Sequence, residues 1–130
     1  MRTRKDRVLV VDDYRDAADT LVALLHVHDI EAYACYSAEE GFALATRLQP
    51  TVVIIEPAAL GKVLNGMQLA AMLRHGDAAT RPLLVALTGR GRQQAIAAAV
   101  HGGFDAFLLK PSCWDDLVSL IRPGARQQGR

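Results

Sequence analysis

The 130-residue sequence predicts a doubly wound α/β fold: a parallel sheet of five strands in the order 2-1-3-4-5, with helices on both faces. Three observations lead there. Five apolar, strand-like runs alternate strictly with five stretches of helical character, the pattern of parallel strands joined by crossover helices. Val8-Leu9-Val10-Val11 and Val52-Val53-Ile54-Ile55 are apolar at every position, as strands covered on both faces are. Four of the five runs end in polar groups: Asp12-Asp13, Glu56, Thr88 and Lys110. A parallel sheet gathers such groups on the one edge where these folds bind ligands. The right-handed crossover rule leaves few other topologies.

In chain order, the first strand covers Val8 to Val11 and ends in acid. From Tyr14 to Val27, Ala17, Ala18, Leu21, Leu24 and Leu25 recur at helical spacing. Ile30 to Tyr36 alternates weakly and reads as a more exposed strand. Ser37-Ala38-Glu39-Glu40 has the form of a capping box and opens a helix to about Leu48. Pro50 ends that helix, and the strand closing at Glu56 follows. Asn65 and Gln68 form a second cap-plus-amide start, with Leu69, Ala70, Met72 and Leu73 behind it. His75-Gly76 supplies a stop. Pro82 to Leu87 is the fourth strand, ending in Thr88-Gly89. An alanine-rich helix is expected over Arg92–Val100, then a fifth strand over Phe104–Leu109. Ser112 caps a last helix that reaches about Ile121 before Pro123-Gly124 breaks it. One domain therefore spans 7–122, with an N-terminal arm over 1–6 and a tail or linker start over 123–130.

Composition narrows the function classes. Half the residues are apolar and 22% are charged, ordinary for a globular chain, and abundant alanine predicts closely packed helices. A net charge of +1 gives no reason to expect nucleic acid. Arg2, Arg4, Lys5 and Arg7 crowd the start, but Asp6 interrupts them, and they read as a solvated arm. No run approaches the roughly 18 apolar residues of a membrane span, and no export signal is visible, so a cytoplasmic location is expected. Cys35 and Cys113 match no metal or redox spacing and read as reduced thiols. His26 and His28 are two apart on a helix and face different ways, so they are not a metal pair. His75 and His101 read as helix-end residues. Trp114 reads either as an exposed partner contact or as packing against the strand-end turn.

The sheet's switch point, between the first and third strands, brings Asp12, Asp13 and Glu56 together. Two carboxylates about 5 Å apart repel by roughly 3 kcal/mol at an effective dielectric near 20. Such a trio needs cations. Lys110 can supply one, and a hard divalent ion, Mg²⁺ above all, can supply the rest. The plainer reading of Asp12 and Asp13 is helix capping.

These features together resemble a receiver domain of the two-component response-regulator family, over Val8 to about Ile121. The likeness is carried by the acidic pair in VLVVDD, Thr88 in ALTG, Phe107, and Lys110-Pro111 in FDAFLLKP. It implies a flavodoxin-like receiver fold and a histidine kinase that passes a phosphoryl group to an acceptor at the end of the third strand. It implies that Mg²⁺ is held by Asp12, Asp13, the acceptor and a backbone carbonyl, here that of Ala58. Lys110 would pair with the phosphoryl group, and Thr88 would swing onto it with Phe107 following. The Lys110–Pro111 peptide is expected to be cis by the same resemblance.

The acceptor position holds Glu56, not the family's aspartate. One more methylene moves the carboxyl roughly 1.5 Å outward, and misplacing a reacting group by about 1 Å costs on the order of 100-fold in rate. Pro57 follows directly, Leu60-Gly61 stands where Leu-Pro is usual, and the loop to Asn65-Gly66 is about one residue longer than common. Ordinary phosphoryl acceptance is therefore expected to be lost, Mg²⁺ binding is possible though weakened or absent, and no enzymatic activity is expected. Glu56 also reaches toward Thr88 and Lys110 and can act as a partial phosphate mimic: one charge against about 1.5 to 2. A single contact with Lys110 is worth about 1 kcal/mol, so the expected bias is partial.

The leading expectation is a phosphorylation-independent pseudo-receiver that acts by protein–protein contact. Its partner is a histidine kinase or other signalling protein, or a second copy joined through the last two helices and the fifth strand. The alternative is a working receiver phosphorylated on Glu56 or an acidic neighbour with Mg²⁺. A flavin carrier on this fold is disfavoured, because acids stand where a flavin phosphate needs Ser, Thr and Gly donors. No second domain is visible, so output falls to a partner or to a parent chain.

Overall fold

The computed structural model describes residues 5–59, 61–77, 81–89, 102–110 and 114–122. Its elements run β1 (Arg7–Val11), α1 (Arg15–Val27), β2 (Glu31–Cys35), α2 (Ala38–Leu48), β3 (Val52–Ile55), α3 (Gly66–Arg74), β4 (Leu83–Thr88), β5 (Ala106–Leu109) and α4 (Trp114–Ile121). The sheet is parallel throughout, in the order β2-β1-β3-β4-β5. The helix expected over Arg92–Val100, the Ser112 cap, Cys113 and the proline of the Lys110–Pro111 bond lie outside the described residues, as do residues 1–4 and 123–130.

Strand register explains the all-apolar runs. Side chains alternate between faces along a strand, so Val8, Val10, Val52, Ile54, Val85 and Leu87 fall on one face, against α1 and α4. Leu9, Val11, Val53, Ile55 and Leu84 fall on the other, against α2 and α3. The sheet thus has two cores rather than one, and a polar residue inside β1, β3 or β4 would enter one of them. Fully burying a Leu, Ile or Val contributes about 1.5 to 3 kcal/mol. With Leu9, Ile54, Ile55, Val53 and Leu84 all under 2% exposed, the sheet centre outweighs the few kcal/mol of like-charge repulsion at its edge.

Local signals were realised unevenly. The Asn65 box is complete: Asn65 Oδ1 accepts from the Gln68 N–H, and the Asn65 N–H donates to Gln68 Oε1, each at 2.9 Å. The Ser37 box is only half formed. Ser37 Oγ accepts from the Glu40 N–H at 3.2 Å, but the Glu40 carboxylate reaches one residue further, to the Tyr36 N–H at 2.9 Å. Asp12 does not cap α1 directly. The cap residue is Tyr14, and Asp12 acts one step earlier, its Oδ1 accepting from the Tyr14 N–H at 3.0 Å. That is an Asx turn, which fixes the exit of the chain from the strand.

β5 begins at Ala106, two residues later than expected. Asp105 meets β4 just before it: its N–H donates to the Leu84 carbonyl at 2.8 Å, while its carboxylate accepts from the Leu84 N–H at 2.8 Å and from Arg74 at 2.7 Å. Close helix packing holds between α2 and α3, where a Cβ on Gly41 would lie 2.8 Å from Leu69 Cδ2. It fails between α1 and α4, which stand apart around a cavity. Trp114 opens α4, is half-buried, and packs on the core beneath it and on the His28 ring, 5.0 Å between centroids. That is the packing role rather than the exposed one, with His28 as a partner; the strand-end turn itself, 111–113, lies outside the described residues.

Candidate functional site

The ladder places each polar group at the same level. The Glu56 N–H donates to the Val11 carbonyl at 2.9 Å, the Asp12 N–H to Cys35 at 3.2 Å, and the Lys110 N–H to Thr88 at 2.8 Å. Strands β1, β3, β4 and β5 therefore deliver Asp12, Glu56, Thr88 and Lys110 to one edge. Asp12 is 5% exposed, Glu56 is 4% exposed and Thr88 is fully buried.

Glu56 turns inward. Its Oε1 accepts from Thr88 Oγ1 at 3.2 Å and lies 4.0 Å from Lys110 Nζ. Its Oε2 accepts from the Ala58 N–H at 3.1 Å. Lys110 Nζ stands 2.5 Å from Asp12 Oδ2, so one ammonium is shared unequally between two buried carboxylates, with Asp12 as the near partner. Asp13 is exposed beside them, and Phe107 projects from β5 at 43% exposed. Ala58 meets the acceptor position through its N–H, on the carboxylate.

The Mg²⁺ ligands expected from the resemblance can be tested against this geometry. Asp12, Asp13 and Glu56 carry the hard oxygens such an ion takes. Yet Asp12 spends one oxygen on the Tyr14 N–H and the other on Lys110, and Glu56 spends its two on Thr88 and Ala58. Among the described residues no buried side-chain oxygen or nitrogen lacks a partner, and no three His, Cys, Asp or Glu side chains are grouped to hold a metal. As arranged, the donor set does not fit the ion.

One residue of the site was missed in the sequence. Glu39, at the start of α2, accepts from the N–H groups of Val63 and Leu64 at 2.7 Å each and of Lys62 at 3.2 Å. It thereby ties down the loop that follows Glu56. The close approach needs Gly61, where a Cβ would fall 1.9 Å from Glu39 Oε1. Likewise only glycine suits position 66, where a Cβ would lie 2.2 Å from the Glu56 carbonyl. The signal was present in Ser-Ala-Glu-Glu, but it was absorbed by the capping-box reading of Glu40.

The N–H groups of Leu64 and Val63 hold the Glu39 carboxyl below its ordinary value. A depressed folded-state pKa gives a contribution that is complete above the ordinary glutamate range and lost as pH falls through the lowered value. Amide-exchange protection of Lys62, Val63 and Leu64 should therefore hold at pH 6 and be lost only once pH falls below the ordinary glutamate range. Glu39→Gln should lower that protection severalfold at pH 6. Equal protection in the variant would show the loop to be held by something else.

The family model of the response regulator receiver domain matches residues 8–122. The chain is 34% identical, over 113 residues, to protein-glutamate methylesterase/protein-glutamine glutaminase 6 of Anaeromyxobacter dehalogenans, covering 85% of this chain and 31% of that protein. It is 24% identical to the DNA-binding response regulator MtrA of Mycobacterium tuberculosis, covering 98% of this chain and 54% of that one. The chain thus spans about half, or less, of the curated relatives it matches. Among solved structures, a putative response regulator from Chloroflexus aurantiacus superposes with a TM-score of 0.78 at 22% identity, covering 91% of this chain and 98% of that one. The receiver domain of NtrX from Brucella abortus gives 0.77 at 24%, covering 89% and 95%.

Proposed function

Because the chain belongs to the response regulator receiver domain family, we propose that it is a phosphorylation-independent receiver in which Glu56 partly mimics the phosphorylated state. The observation that carries the reading is the Thr88–Glu56–Lys110 arrangement. The carboxylate accepts from the threonine hydroxyl and faces the ammonium, where a phosphoryl oxygen is expected in a receiver. The contact is a partial substitute. A 4.0 Å separation from Lys110 is long for a strong ion pair, which fits a bias of about 1 kcal/mol rather than a locked state. Lys110 supplies the site's cation in place of Mg²⁺, whose binding is then weak or lost.

The module acts by protein contact in the cytoplasm, with a histidine kinase or other signalling protein or with a second copy. The sheet edge at β5 supports this. Phe107 and Leu109 stand 43% and 45% exposed on alternate positions of that edge strand, and exposed apolar residues on a strand edge suit a partner surface.

The test is direct. The protein is incubated with phosphoramidate and Mg²⁺ and its intact mass is read. The expected result is no lasting gain. A stable gain of one phosphoryl group, abolished by Asp13→Asn, would replace this reading with that of a working phosphoacceptor.

A further inference from the structure

Between α1 and α4, directly beneath the charged edge, lies a cavity of about 340 Å³. Small-molecule sites begin at about this size. It exists because α1 presents Ala17 and Thr20 toward α4, where larger side chains would close the gap. Its floor is apolar: Val10 and Ile54 from the sheet and Leu117 from α4, all buried. Its mouth is charged. Among the described residues, Asp12, Asp16 and Glu56 carry three negative charges against the one positive charge of Lys110, leaving two negative. Lys110 is moreover committed to Asp12 at 2.5 Å. The rings of Tyr14 and Trp114 complete the wall, Tyr14 at 65% exposed on the outer rim.

We propose that this cavity binds a small amphipathic cation, an ammonium or guanidinium group carried on an apolar body. The body displaces water from the floor, where burial of apolar surface drives binding. The head stands beside the exposed Asp16 carboxylate, with the inward Glu56 adding negative charge behind it and the Tyr14 face as a cation–π partner. An amphipathic anion of the same shape meets a mouth of its own sign, and Lys110, the cation among the described lining residues, is already paired with Asp12. Because Glu56 and Lys110 both line the cavity, an occupant touches two groups of the switch edge. Binding can therefore bias that edge without phosphoryl chemistry. The binding claim does not depend on the phosphorylation reading: a protein that accepted phosphoryl groups would still contain the cavity.

The experiment titrates octylammonium, octanol and octanoate, which share a body and differ in charge, into the folded protein. Trp114, the single tryptophan of the sequence, reports occupancy by fluorescence. Octylammonium should give a saturable change at least tenfold tighter than octanoate, with octanol between them. Asp16→Asn should weaken octylammonium severalfold and leave octanol unchanged. Ala17→Leu, which fills the cavity, should weaken all three tenfold or more; Thr20→Leu serves the same purpose if that variant does not fold by circular dichroism. Octanoate binding as tightly as octylammonium, no saturable change with any probe, or filled variants that bind normally would each overturn the proposal. Phosphoryl uptake is read separately by mass, so failure of one assay leaves the other standing.

Discussion

Replacing Lys110 by methionine is expected to destabilise the protein by about 2 to 3 kcal/mol, one of the largest effects open to a single change at the edge of the sheet. Lys110 Nζ is 2.5 Å from Asp12 and 4.0 Å from Glu56, and both carboxylates are almost completely buried. Methionine keeps most of the stem and removes the charge. What remains is two desolvated acids with no cation between them. Breaking a buried ion pair by deleting one partner costs about 3 to 5 kcal/mol. The lysine side chain is 26% exposed, so water already screens part of the interaction and the expectation is set below that range. Urea unfolding should show the midpoint falling by about 1 to 2 M with little change in slope. Adding Glu56→Gln should recover a substantial part of the loss, because it removes one of the stranded charges. Single and double variants that add independently would mean that Lys110 and Glu56 do not interact, and the phosphate-mimic reading would lose its electrostatic half.

The second large effect concerns chemistry. Glu56→Asp shortens the side chain by one methylene, drawing the carboxyl back roughly 1.5 Å from Thr88 and Lys110. If reach alone blocks acceptance, uptake from phosphoramidate with Mg²⁺ should rise at least about 100-fold over the parent protein. Asp13→Asn in that background should abolish the gain. Lys110 would then be expected to turn from Asp12 toward the incoming phosphoryl group. An aspartate variant that stayed unmodified would place the defect in the surroundings: the loop tied to Glu39, or an Asp12 that never releases its lysine.

The fold was legible because it rests on one-dimensional patterns. Four-residue runs of Val, Ile and Leu can be covered only by helices on both faces, and strict alternation then dictates the crossovers. The polar edge was legible for the same reason, since it sits where each run stops. Contacts that depend on side-chain reach were not. Whether Lys110 prefers Asp12 or Glu56 turns on an ångström or two that no spacing encodes. Glu39 was hidden because it serves a loop some two dozen residues away, while its neighbours Ser37 and Glu40 already explained the local pattern. The gap between α1 and α4 was hidden too. Alanine was read as a sign of tight helix packing, and that holds only where a larger residue on the facing element fills the space.

The inward Glu56 has a consequence in time. A phosphoryl group is put on by one protein and taken off by water or another, so an ordinary receiver carries its message for a limited lifetime. A carboxylate built into the polypeptide cannot be hydrolysed away. On the reading proposed above, the output of this domain has no clock, and its strength is set by dosage: how many copies are made, and how soon they are degraded.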